Sequence, residues 1–253
     1  MARLILILLM VCFYTVSSSQ KLSKYKGLVA WWRLNENAGL KAHDFTRLTT
    51  KVGVGVIAGC TWTVKGTRGK ALLWSGATAD KVTIGKPYDL VASEMTASVW
   101  VYFTSIGQYR YMISDYNSGG TNAQFALQYT NANKFTFFWA NGGAQYPNPV
   151  TASSTTSGSV GIWFHIVGVR RGSTGSWTSE IYVNGRLETS ASTAGNPATQ
   201  ANAGNVAIGQ PGDLVLGILP HNGCLQDVML FNRALTATEI KNLYVEQYNY
   251  INH

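Results

Sequence analysis

Strict alternation of apolar and polar positions, broken by Gly, Asn and Ser turns, is the dominant pattern along this chain. Leu28 to Leu34 (LVAWWRL) opens it with a strand whose Trp31 and Trp32 must face opposite ways. Further strands are predicted at Val52 to Ile57, Thr61 to Val64, Ala71 to Gly76, Val82 to Ile84, Ala97 to Phe103, Tyr111 to Ser114, Gln124 to Tyr129, Lys134 to Trp139 and Val206 to Gly209. Gly161 to Gly185 reads as a hairpin, with Asn184-Gly185 supplying positive-φ residues where its second strand ends. The period then changes within Gly223 to Tyr244. Leu225 to Phe231 is apolar on both faces. Val228 and Leu230 share one face with Gln226, and Leu225, Asp227, Met229 and Phe231 share the other. Thr236 and Glu239 have capping-box spacing, and Ile240, Leu243 and Tyr244 fall on one helical stripe. Short strands, hairpin turns and one helix predict an all-β chain: a two-sheet antiparallel jelly-roll sandwich closed by one short C-terminal helix.

The first residues do not follow this pattern. Arg3 precedes an apolar run, Leu4 to Val16, followed by Ser17-Ser18-Ser19-Gln20, so residues 1–19 read as a signal peptide cleaved near Ser19. The expectation is secretion, with no membrane insertion after cleavage; an uncleaved anchor is the alternative. Residues 20–253 then suit one large all-β domain, with no linker and no repeat of solenoid period. The formal charge is +8, from 20 Lys and Arg against 12 Asp and Glu. The bases are scattered, with Arg170-Arg171 the one adjacent pair, so no stripe tracks a phosphate backbone and nucleic acid is not an expected partner. A cationic surface favours anionic glycans or cell envelopes by long-range attraction.

The closing segment resembles that of LamG-like jelly rolls of the concanavalin A-like lectin/glucanase superfamily, which reads roughly G-x-I-D-D-V-R-I-Y-N-R-A-L-S-x-x-E-I. Gly223, Leu225, Asp227, Val228, Leu230, Phe231, Asn232 to Leu235, Glu239 and Ile240 fit it, Thr236 replaces Ser, and Gln226 replaces an acid. Asn35 to Asp44 matches the family's L-x-E-x-x-G-x-x-x-x-D loop through Glu36, Gly39 and Asp44. Trp100 matches V-S-A-W-V, and Trp163, His165 and Gly168 match W-x-H-x-V/A-G-V. Phe45 to Thr50 departs from the family's Ser-Gly-Asn-Gly-rich turn. The resemblance spans about Gly27 to Tyr244 and implies a sandwich that often holds a structural Ca²⁺ near where the early loop meets the closing strand. By that resemblance the candidate ligands are Glu36, Asp44 and Gln226, the last an amide where the family has a charge. In an oxidising compartment Cys60 and Cys224 are candidates for a disulfide, and neighbouring early and late strands in the resembling fold suit it; two buried free thiols are the alternative.

The superfamily includes glucanases, which need paired carboxyls from one strand. No E-x-D-x-(x)-E spacing exists here, and the strands expected to line a cleft carry Gln124, Gln128 and Asn133. Gly-x-Ser-x-Gly is absent, the four histidines are dispersed, and His165 reads as structural. The chain is therefore expected to be no enzyme. Sugar rings stack on aromatic planes, and Tyr109, Tyr111, Tyr116, Trp139, Tyr146 and Trp177 lie near predicted loops or strand ends. The leading expectation is a secreted lectin-type module for a glycan or glycoprotein surface. The alternative is a structural or assembly protein using the sandwich for protein contacts. Self-association would suit either reading, because weak single sites gain from linkage.

Overall fold

The computed structural model describes residues 25–46, 53–67, 69–85, 94–116, 123–140, 149–195, 206–211 and 220–249. The predicted signal peptide lies outside them. The described strands are β1 (Leu28–Trp32), β2 (Lys41–Ala42), β3 (Gly55–Ala58), β4 (Thr61–Thr63), β5 (Ala71–Ser75), β6 (Lys81–Gly85), β7 (Met95–Phe103), β8 (Arg110–Tyr116), β9 (Ala123–Tyr129), β10 (Lys134–Ala140), β11 (Pro149–Ser157), β12 (Trp163–Ser173), β13 (Ser176–Val183), β14 (Arg186–Thr193), β15 (Val206–Ile208) and β16 (Asn222–Phe231). One helix, α1 (Ala237–Asn249), follows. The first sheet runs β14-β13-β12-β7-β16-β5-β4, with β1 also on β16, and the second runs β11-β10-β9-β8-β15-β6-β3-β2. All named pairings are antiparallel, as a jelly roll requires.

Two apolar layers result. Between the sheets, Val99, Val101, Phe103, Phe125, Leu127, Tyr129, Phe135, Phe137 and Trp139 interdigitate with Trp32, Trp74, Leu225, Val228 and Leu230. Outside the first sheet, Leu243 and Ile240 of α1 pack with Trp31, Val167, Val169, Tyr182, Met229 and Phe231. Trp31 and Trp32 thus enter different layers, as alternation demands. The helix starts as its sequence predicts. Thr236 N donates to Glu239 Oε2 at 2.8 Å, and Glu239 N donates to Thr236 Oγ1 at 3.2 Å. Arg233, paired with Glu239 at 2.6 Å, holds that carboxyl down at about 2.

Three features differ from the sequence reading. Leu225 joins Val228 and Leu230 in the core instead of facing the helix with Met229 and Phe231. A bulge explains it: Gln226 pairs with Trp100 and Met229 with Ser98, so β16 spends one residue more than β7, and Asp227 takes φ 47°. Second, Cys60 and Cys224 are free thiols, so the expected bridge is absent. β5 stands between them, because Cys224 faces Leu73 and Leu73 faces Thr61. Two strand spacings make about 10 Å, beyond the roughly 7 Å limit for a disulfide's Cα atoms. Burial pushes both thiols up, Cys224 to about 11 against the opposing pull of Lys65. Third, β2, β11 and β14 were not anticipated. The last two are Ser/Thr-rich edges clipped together by Glu188, whose carboxylate accepts from Thr155 N and Oγ1 and from Thr156 N and Oγ1. Burial alone would raise the Glu188 pKa; those four donors outweigh it and lower it.

The two sheets approach closely where β12 crosses β10. A Cβ on Gly168 would stand 2.2 Å from Phe137 Cδ2, closer than any side-chain contact allows. Gly168→Ala is expected to force the Phe137 ring aside and cost about 1–3 kcal/mol, read as a lower urea midpoint at unchanged m-value. An unchanged midpoint would mean that the sheets do not meet there.

Candidate functional site

The predicted aromatic residues separate. Phe135, Phe137 and Trp139 alternate into the core, where Trp139 meets Trp177 edge-on at 6.4 Å. Trp139 is 0% and Trp177 5% exposed, so neither offers a ring face to a ligand. Tyr111 is buried as well, opposite Gln128 on β9. These three are packing residues, contrary to expectation, because alternation outweighs nearness to a turn. Tyr109 is 42% exposed and remains a surface ring. Tyr146 and the side chain of Tyr116 lie outside the described residues.

A different aromatic surface forms on the outer face of the first sheet. Tyr244 of α1 stacks on Trp100 at 5.7 Å and on His165 at 5.9 Å, covering that face to this point. Two residues further along each strand, on the same face, Tyr102 and Trp163 emerge half-buried, their rings 5.5 Å apart and tilted by 43°. They are opposite one another in the β7–β12 register. Trp163 is fixed by its indole N–H, which donates to Lys65 O at 3.3 Å. Val64 and Ile162 adjoin Lys65 and Trp163 along the chain, Val160 bridges Phe103, and each of the three is at least half exposed.

Neighbouring turns hold this end of the sandwich rigid. Asn133, in a left-handed turn at φ 61°, accepts from Gly107 N at 2.9 Å and from Tyr129 OH at 3.1 Å, and its carbonyl accepts from Gly158 N. Val160 bridges Phe103, and Gly161 N donates to Phe103 O. The turn before β8, the turn before β10 and the loop before β12 are thus one hydrogen-bonded unit. Sequence reasoning missed Tyr102 and Trp163 because Trp163 sits in a family strand motif and Tyr102 two places after Trp100, where both read as core. The length of α1 was the available signal.

The candidate calcium ligands differ in how far hydrogen bonds take up their oxygens. Gln226 Oε1 accepts from Thr67 N and Thr67 Oγ1 at 2.9 and 2.6 Å, and its Nε2 donates to Lys70 O. Asp44 Oδ1 accepts from Trp31 N and Thr46 N, and Oδ2 from Thr46 Oγ1. Glu36 Oε1 accepts from His43 N. The oxygens of Gln226 and Asp44, already accepting from N–H and O–H donors, are poorly placed to coordinate a hard cation, while Glu36 Oε2 is buried with no hydrogen-bond partner. Among the described residues no group of three or more His, Cys, Asp or Glu side chains gathers.

A serine–histidine contact exists, but it is sealed. Ser98 Oγ lies 2.8 Å from His165 Nε2, and both residues are 0% exposed beneath Trp100 and Tyr244. His165 Nδ1 has no partner, so no carboxylate orients the ring as a catalytic triad needs. Burial pushes the His165 pKa down to about 3. His221, equally enclosed, is pushed down to about 3 mainly by burial. Carboxylates elsewhere act as structural clips: Asp80 on Ser75, Asp227 on the Trp31 indole, Glu180 on Arg171.

Residues 76–241 match a laminin G-type family model described as concanavalin A-like lectin/glucanases superfamily, and the chain belongs to that superfamily. No curated protein matches it by sequence. Solved structures share the fold at low identity. The binding domain of Paraclostridial Mosquitocidal Protein 1 is 13% identical at a TM-score of 0.65, with 89% of this chain and 53% of that chain covered. Trypanosoma rangeli sialidase is 18% identical at 0.61, with 87% and 33% covered. Domain 4 of AbnA, an extracellular GH43 arabinanase from Geobacillus stearothermophilus, solved in complex with arabinotriose, is 17% identical at 0.60, with 86% and 98% covered. The chain therefore spans about half of the toxin binding domain and a third of the sialidase.

Two outcomes follow from the buried groups. Both enclosed histidines stay neutral in the fold down to about 3, whereas the unfolded chain takes up their protons below 6.5. Stability is then full above 6.5 and falls with pH by up to about 1.4 kcal/mol per unit for each ring. Urea midpoints between pH 7 and 4.5 measure this, and His165→Gln should roughly halve the slope; a flat wild-type profile would contradict enclosure. With the Gln226 and Asp44 oxygens occupied and one Glu36 oxygen open, the fold should also keep its Tm to within about 1 °C when EDTA replaces calcium. A larger drop would restore the cation.

Proposed function

We propose that this chain is an exported, non-catalytic glycan-binding module, and that the half-exposed Tyr102–Trp163 pair is its contact surface. The observation that carries the reading is the emergence of two neighbouring rings from under α1 onto an otherwise flat strand surface. Rings held by the strand register and by the Lys65 carbonyl lose little freedom on stacking against a sugar, which favours binding. The arabinanase domain of matching size, named with arabinotriose, supports a carbohydrate ligand for this kind of sandwich. The use of the described carboxylates as clips supports binding without hydrolysis.

The second reading, a structural or assembly protein, draws on one observation. Val64, Val160 and Ile162 are exposed aliphatic side chains at the same end of the sandwich, a composition that suits protein contact. A glycan array, followed by calorimetry on the strongest hit, separates the two. Trp163→Ala and Tyr102→Ala are each expected to weaken the hit about tenfold or more while leaving the Tm near wild type. A blank array together with concentration-dependent self-association lost in Ile162→Asp would instead establish the assembly role. Export is checked by N-terminal sequencing of the secreted product, expected to begin near Gln20.

A further inference from the structure

A cavity of about 120 Å³ lies between α1 and the end of β16, and none of its residues belongs to the surface proposed above. Glu239, Asn242, Leu243 and Glu246 reach it from one stripe of the helix, at the spacing that brings side chains of successive turns together. Phe231, Leu235 and Leu243 form its buried apolar floor. Tyr25, Arg233, Glu239 and Glu246 stand half-buried around it, and Asn242 is exposed at its rim.

The guanidinium in this lining is committed to the fold. Arg233 Nη1 and Nη2 donate to the two oxygens of Glu239 at 2.9 and 2.6 Å, and Nε donates to Lys26 O at 2.7 Å. Those two charges offset one another. Glu246 is the second carboxylate, and its Oε2 accepts from Tyr25 OH at 3.2 Å. The lining thus carries a net charge of −1, two carboxylates against one guanidinium, in a chain whose formal charge is +8. A carboxylate accepts about four hydrogen bonds, so a phenol at one oxygen does not exhaust it.

We propose that this cavity receives the side chain of a lysine on a partner protein. An apolar floor flanked by a carboxylate matches an unbranched four-carbon stem ending in an ammonium, which buries its methylenes and keeps its charge at the rim. At about 120 Å³ the space suits one side chain and falls below the roughly 300 Å³ at which pockets for larger ligands begin. An aromatic ring beside a carboxylate, as Tyr25 stands beside Glu246, favours a cation over a neutral chain. A guanidinium fits less well, because it pairs best across both oxygens of a carboxylate and Tyr25 already holds one of them. The site does not depend on the glycan reading, because simple amines test it.

The full chain, isotope-labelled at its leucine methyl groups, is titrated with Nα-acetyl-lysine methylamide, the Nε-acetylated form of the same compound, and cadaverine. The expected result is movement of the Leu235 and Leu243 methyl signals with a Kd of about 1 mM for the lysine compound, and binding about tenfold weaker once its amine is acetylated. Asn242→Asp adds a carboxylate at the exposed rim and should tighten lysine binding about threefold, while Glu246→Gln should weaken it about fivefold or more. Equal affinity for the acetylated compound would overturn the proposal in favour of a purely apolar slot, and methyl signals that never move would overturn it outright. Cadaverine binding while the lysine compound does not would replace the protein partner by a free amine. If Glu246→Gln disturbs the Tyr25 contact, Asn242→Asp decides: unchanged lysine affinity there would mean that charge plays no part.

Discussion

The last strand must serve three neighbours at once, and the rest of the architecture depends on how it does so. β7 runs along one edge of β16, while the other edge is divided: Asn222 to Leu225 pair with β5, and Val228 to Phe231 pair with β1. A regular strand would carry one register past both partners. The bulge at Gln226-Asp227 falls at the change of partner, and each of its side chains secures one side. The Gln226 amide continues the ladder toward Thr67 and Lys70, before β5, and the Asp227 carboxylate takes the Trp31 indole N–H at the end of β1. Asp227 N also donates to Arg33 O. A left-handed aspartate is uncommon, and here two hydrogen bonds to the chain after and within β1 hold it.

This arrangement accounts for Gln226 standing where the resembling pattern has an acid. An amide presents a donor and an acceptor together, and both are used, one toward Lys70 O and one from Thr67. A carboxylate there could accept from Thr67 but would face the Lys70 carbonyl with like polarity. At this point the chain gives up negative charge for a closed hydrogen-bond ladder. The same economy runs through its other acids, Asp44, Asp80, Glu188 and Glu239, each of which receives several donors.

The fold was legible because its signals are periodic. Alternation placed Trp31 and Trp32 in separate layers, and the Thr236–Glu239 spacing gave the helix start. β11 and β14 escaped because TASSTTS and LETSAST carry almost no apolar contrast; each pairs within its own sheet, and the two edges are joined by a side-chain clip 32 and 33 residues distant from its donors. The disulfide failed for a reason that no count of cysteines contains, since β5 intervenes between strands that the resemblance placed side by side. The surface proposed for ligand contact was the least legible part. Trp139, Trp177 and Tyr111 lie near turns but point where alternation sends them, whereas Tyr102 and Trp163 look like core in a strand motif.

What separates those two groups is the reach of α1 across the first sheet. Trp100 and His165 face the same way as Tyr102 and Trp163, yet the former pair is sealed by Tyr244 and the latter is not. A strand pair that outruns its covering helix leaves a strip of the same apolar face in water, where it gains little of the burial that stabilises the sealed layer. Small polar or charged residues at positions 102 and 163 would forgo little burial and leave the sealed layer undisturbed, since neither ring belongs to the core clusters. Packing therefore does not demand aromatic rings there.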